Sequence, residues 1–133
     1  MARSPLSALS AFAVPLHLNI LGWGLVAAAI YTFSPDVFES QVVVLGAALF
    51  AFLYTVVALV LLLIRVRAPE AAEGVPGASW SAVAMALLGA ALLLAVTYQT
   101  AGSLGGIVAL ASLVVGLLVG SLSVASLKRH MGP

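Results

Sequence analysis

Apolar residues run along this chain in four long blocks, and polar residues are confined to the gaps between them. The blocks are about Leu9 to Phe33, Val42 to Ile64, Trp80 to Gln99 and Leu104 to Leu127. Each holds about 20 residues or more, enough at about 1.5 Å per residue to cross a hydrocarbon layer of about 30 Å. None of them alternates with the two-residue period of a barrel strand. In lipid a backbone amide has no water to bond, so each block is predicted to be a helix. The expected fold is an all-α integral membrane four-helix bundle, one domain over residues 1–133, arranged as two helical hairpins.

Three gaps separate the blocks. Ser34 to Ser40, "SPDVFES", fits a brief turn with Ser34 as N-cap and Pro35 at the first position. Arg65 to Ser79 is the longest, and its Pro69, Gly74, Pro76 and Gly77 oppose a continuous helix. Thr100 to Gly106, "TAGSLGG", supplies the last turn.

Composition strengthens this pattern. Of 133 residues, 64% are hydrophobic and 7% charged, against roughly 25% charged in soluble domains. The solvent is therefore the bilayer. The five Lys and Arg residues are Arg3, Arg65, Arg67, Lys128 and Arg129. Four crossings put all of them on one side, with Asp36 and Glu39 on the other. That is the positive-inside distribution, which predicts cytoplasmic termini and a prokaryotic plasma membrane as the location. Trp80, Tyr31 and Tyr98 fall near span ends, at the headgroup level. Arg3 and Ala27-Ala28-Ala29 could be read as a cleaved leader, but the apolar run is too long for one.

Candidate chemistry is sparse. Without cysteine there is no thiolate chemistry, and a net charge of +1 gives nucleic acid no footprint. The acids Asp36, Glu39, Glu70 and Glu73 lie in links, so no span offers a carboxylate for proton exchange, and no span carries a Lys. An enzyme is not expected.

Small residues recur at four-residue spacing in the last block, at Ser112, Gly116 and Gly120, with Gly105 and Ala109 extending a similar face. Ala82, Ala86 and Ala90 do the same in the third. Such stripes let helices approach closely. The expectation is that spans 3 and 4 pack on each other, with a homodimer seam along span 4 as the alternative. Either way the partners are the bilayer and further protein: a homo-oligomer or a larger membrane complex.

The first block holds the polar cluster, in "PLHLNILGWG", Pro15 to Gly24. Pro15 removes a backbone donor and invites a kink. At about 100° per residue, His17 and Asn19 point to nearly opposite sides. His17 shares its face with Ala13, Leu21, Gly24 and Ala28, small neighbours that would clear space for a planar ligand or a closely packed helix. An ionisable residue in a span is a functional hypothesis by default, and desolvation favours neutral imidazole, the form that binds haem iron. Three roles remain open for His17: a hydrogen bond to another helix, axial ligation of a tetrapyrrole with Gly24 giving clearance, or a proton or substrate pathway. Asn19 is expected to bond across helices, with Tyr54 or Thr97 as partner. Trp23 is expected to fill the core, and His130 to lie on solvated surface.

"HLNILGW", His17 to Trp23, resembles the "HLNLLGW" run of small membrane proteins related to the haem-copper oxidase subunit I superfamily. Tyr31 and Phe33 to Pro35 extend the similarity, which covers about Pro15 to Pro35. The resemblance implies haem ligation, and by position that role falls on His17 alone. Those relatives commonly carry a further histidine just ahead of the motif, where this chain has Pro15, and another early in the next helix, where this chain is apolar. An oxidase needs several histidines and a copper site, so the chain is not one by itself. A second axial ligand would come from another protomer or a partner subunit. The expected function is a non-catalytic membrane subunit or accessory protein, haem-binding through His17 and linked to respiratory electron transfer. The alternatives are a small oligomeric channel or transporter for a neutral solute, with Asn19 and His17 as its polar lining, and a purely structural bundle.

Overall fold

A computed structural model of the chain describes residues 5–70 and 79–131, with side chains within 17–70 and 79–129 apart from Leu127. It is a helical bundle. Its helices are α1 (Pro5–Phe33), α2 (Gln41–Arg67), α3 (Trp80–Ala101) and α4 (Ser103–Met131), with a short 3₁₀ turn at Pro35–Glu39. Among the described residues there is no strand. Gln41–Arg67, Trp80–Ala101 and Ser103–Ser126 are each long and apolar enough to cross a membrane, and the apolar stretch His17–Phe33 belongs to α1. Gly74, Pro76, Gly77 and Glu73 of the long link lie outside the described residues.

The helix ends differ a little from the apolar blocks, because hydropathy reports the membrane and not the hydrogen-bond ladder. α2 continues through Arg65 and Arg67, whose charges suit a helix C-terminus. The Arg65 guanidinium lies over the Trp80 ring at 5.3 Å, tying the end of α2 to the start of α3 by a cation–π contact. Ser79 caps α3, its Oγ accepting from the Ala82 N–H at 3.3 Å. Ser34 and Pro35 open the 3₁₀ turn as expected, although the Ser34 side chain makes no cap bond. α1 runs through Pro15 without interruption.

The turn expected over Thr100 to Gly106 contracts to a single residue. Gly102 has φ +59°, a region that L-residues rarely enter, and helix resumes at Ser103. Three residues on, a Cβ at Gly105 would stand 2.6 Å from the Tyr98 Cα. Both glycines are needed to fold α4 back against α3 so abruptly.

The helices of the two hairpins pack across one another. α2 and α3 lie against each other at the centre, α1 packs chiefly on α3, and α4 packs chiefly on α2. Chain direction alternates at each link, so the two flanking pairs, α1 with α3 and α2 with α4, are parallel. α1 and α2, joined through the 3₁₀ turn, meet mainly through side chains. The central cluster draws on three helices, with Ile20, Ala51, Tyr54, Ala58, Ala86, Ala90 and Leu93 at its heart.

The expected pairing of the small-residue stripes is therefore corrected. Gly116 receives Leu59 and Gly120 receives Leu63, both from α2. Ser112 is buried on the same stripe, so that stripe is a seam within the chain, not one between two copies. Ala82, Ala86 and Ala90 are buried too, with Ala86 and Ala90 in the central cluster beside α1 and α2 residues. The physical reason is shape: a glycine pair four residues apart makes a groove, and a leucine pair four residues apart fills it. Matching small residues to small ones overlooks that complement.

Candidate functional site

His17 and Asn19 do lie on opposite sides of α1. His17 is 2% exposed while Asn19 is on the surface. The buried face continues through Ile20 and Gly24 at helical spacing and is held against α3 at a close crossing. A Cβ on Gly24 would be 2.7 Å from the Gly89 carbonyl oxygen, and one on Gly89 would be 2.6 Å from that of Ile20. Two backbones touch here with nothing between them.

That crossing tests the haem reading. Gly24 was expected to leave clearance beside His17, and the clearance is occupied by the Gly89 backbone. The imidazole is buried within the bundle and already takes part in an interaction there. Gly24 therefore gives a haem no clearance: a macrocycle lying along it would require α1 and α3 to separate. Ala13, on the other flank of His17, lies outside the described side chains, as does His130.

Asn19 is a cross-helix anchor. The Tyr54 hydroxyl donates to its Oδ1 at 3.1 Å. Thr97, the other candidate partner, is engaged elsewhere: its hydroxyl donates to the Leu93 carbonyl at 2.8 Å, with a longer contact to the Ala47 carbonyl at 3.5 Å. Trp23 does not fill the core. It is 47% exposed and stacks on Phe50 at 5.8 Å, and Phe50 stacks on Tyr54 at 5.9 Å. This aromatic ladder, closed by the Asn19 bond, is what joins α1 to α2. Ser112 donates to its own helix, to the Val108 carbonyl at 2.6 Å, and so does not bridge helices.

Two open clefts flank the N-terminal part of α2. One, of about 220 Å³, lies between α1 and α2 above the aromatic ladder, with Trp23, Ile30, Phe38, Gly46, Phe50 and Leu93 among its walls. The other, of about 730 Å³, lies on the far side, between the 3₁₀ turn and the α3–α4 turn. Phe38, Glu39, Gln41, Leu45, Thr100 and Leu104 are among its walls. His17 borders neither. Sequence reasoning missed the second cleft because it set Glu39 aside as a link residue. Its walls come from around two links far apart in sequence, at Glu39 and at Thr100, and no local motif announces them. Among the described residues no cluster of His, Asp and Glu is placed to hold a metal ion.

Compared with family models, with curated proteins and with solved structures, the chain finds no match.

Proposed function

We propose that the chain is a non-catalytic, multi-pass membrane subunit that acts by associating with other membrane components, its termini in the cytoplasm of a prokaryotic cell. One observation carries this reading: the polar side chains inside the spans serve the fold itself. Asn19 accepts from Tyr54, Thr97 and Ser112 donate to carbonyls of their own helices, and His17 is buried within the bundle. What the bundle offers outward is bulky and apolar, including Leu110, Leu118 and Leu122 of α4 and Leu45, Leu49 and Leu53 of α2. The resemblance around His17 to Trp23 favours a respiratory electron-transfer complex as the setting.

The test is made on protein extracted gently from its own membrane. The expected result is a preparation without a Soret band that migrates within a larger complex on native electrophoresis, and that gives liposomes no added solute flux. A Soret band abolished by His17→Ala would replace this reading with haem binding, and flux changed by Asn19→Ala would replace it with a channel.

A further inference from the structure

We infer that the cleft between the 3₁₀ turn and the α3–α4 turn is a binding site for an amphipathic ammonium cation. This goes beyond the subunit reading and does not depend on it. Ligand pockets are usually about 300–1,000 Å³, mostly apolar, with a few placed polar groups. This cleft, at about 730 Å³, has that make-up. Phe38, Val44, Leu45, Ala101 and Leu104 give an apolar wall, and Glu39, Gln41 and Thr100 give its polar groups.

The charge of the ligand follows from what surrounds Glu39. Its link, Ser34 to Ser40, contains Asp36 and Glu39 and no Lys or Arg, and neither does Thr100 to Gly106. Among the described residues, Arg65 and Arg67 end α2 and Lys128 and Arg129 lie near the end of α4, at the opposite end of the bundle. The carboxylates of the first link therefore set a negative local field at the cleft, and among the described residues no Lys or Arg lies in either link beside it. Anions are disfavoured, and a cation gains the Glu39 carboxylate beside the apolar wall to which Phe38 contributes. Gln41 adds an amide at the first position of α2. Thr100 already donates its hydroxyl proton to the Val96 carbonyl at 2.8 Å, so toward the cleft it can only accept, which again suits an ammonium donor.

The wall opposite Glu39 is held in place. Gly102 and Gly105 set the α3–α4 turn in one tight conformation, which fixes Thr100, Ala101 and Leu104 relative to one another. The apolar part of the ligand lies along Leu45 and Leu104, at the level where a membrane's headgroups meet its chains. An aminophospholipid headgroup and a free amphipathic amine share this chemistry.

The experiment uses the full chain in maltoside micelles, which contain no ammonium group, and octylammonium as the probe in equilibrium dialysis. Saturable binding above protein-free micelles is expected. Glu39→Gln should weaken it about two- to fivefold, the scale of one exposed ion pair, and Leu104→Trp should abolish it by filling the cleft. Glu70→Gln, at the other end of the bundle, should leave it unchanged. Octanol should not compete. Displacement by phosphatidylethanolamine but not by phosphatidylglycerol identifies the lipid headgroup as the source, and no displacement by either identifies a free amine. Since Glu39 is exposed, its variant should fold, which circular dichroism checks. The inference is overturned if the probe binds Glu39→Gln as tightly as the original chain, or if octanol competes equally. Either failure leaves the subunit reading standing, because that rests on the spectrum, the flux and the native complex.

Discussion

Gly24 of α1 and Gly89 of α3 meet backbone to backbone, each occupying the space where the other's neighbourhood would hold a Cβ. In lipid, little hydrophobic drive holds helices together, so close van der Waals contact of this kind carries much of the association. The same crossing closes the space beside Gly24 to a planar ligand.

Gly24→Ala and Gly89→Ala are each expected to destabilise the bundle by about 1–3 kcal/mol, the usual cost of overpacking, because a rigid carbonyl and not a movable side chain stands in the way. Gly22→Ala and Gly46→Ala meet nothing within 4 Å and should be neutral or gain up to about 1 kcal/mol of helix propensity. Unfolding titrations in mixed micelles compare the four. Equal effects at all four sites would show that the crossing is not the constraint.

Much of this was legible beforehand. The four helices follow from uncharged blocks, because lipid leaves the backbone no alternative. The opposition of His17 and Asn19 follows from helical geometry alone, and Tyr54 was one of two residues named as a partner for Asn19. Helix adjacency was not legible. A stripe such as Ser112, Gly116 and Gly120 states that something approaches closely but not what, and α2 supplies the leucines. Gly24 shows the same ambiguity: a small residue beside a histidine accommodates a cofactor and a helix equally well on paper. The Glu39 cleft exists only once the two outer links are brought together.

Gly116→Leu should push α4 away from α2, since its side chain would occupy the seat of Leu59. Leu59→Ala alone should also destabilise, by about 2–5 kcal/mol if its site cannot collapse. Combined, the two changes exchange the large and small partners, and the double variant should recover much of the loss. A double-mutant cycle measures that coupling. If Gly116→Leu instead alters oligomeric state and leaves the monomer's stability unchanged, the stripe faces another copy of the chain.

Tyr54→Phe removes the hydroxyl that donates to Asn19 while keeping the stack on Phe50. Hydrogen bonds between membrane helices are worth about 0.6 kcal/mol on average and reach about 1.7. A loss in that range is expected, with no further loss when Asn19→Ala is added. Additive losses would mean that each side chain has a second partner. Phe50→Ala should cost more than either, since it interrupts the ladder from Trp23 to Tyr54 and leaves α1 attached to α2 mainly through the polar bond.

Thr55 presents the opposite case from Tyr54. It is buried on α2, and its Oγ1 finds no hydrogen-bond partner among the described residues. A buried hydroxyl without a partner carries a desolvation cost of about 1–3 kcal/mol, less where lipid is the reference medium. Thr55→Val keeps the branched shape and removes that hydroxyl, so its stability should equal or exceed that of the original chain by up to about 1 kcal/mol. Thr55→Ser keeps the hydroxyl and deletes a packed methyl, and should cost about 0.5–1.5 kcal/mol, as a single buried methyl does elsewhere. The order Val above Thr above Ser is the discriminating result in thermal unfolding of the detergent-solubilised protein. The reverse, with Val the least stable, would mean that the hydroxyl is bonded in the assembled protein and that α2 meets α4 differently at that level.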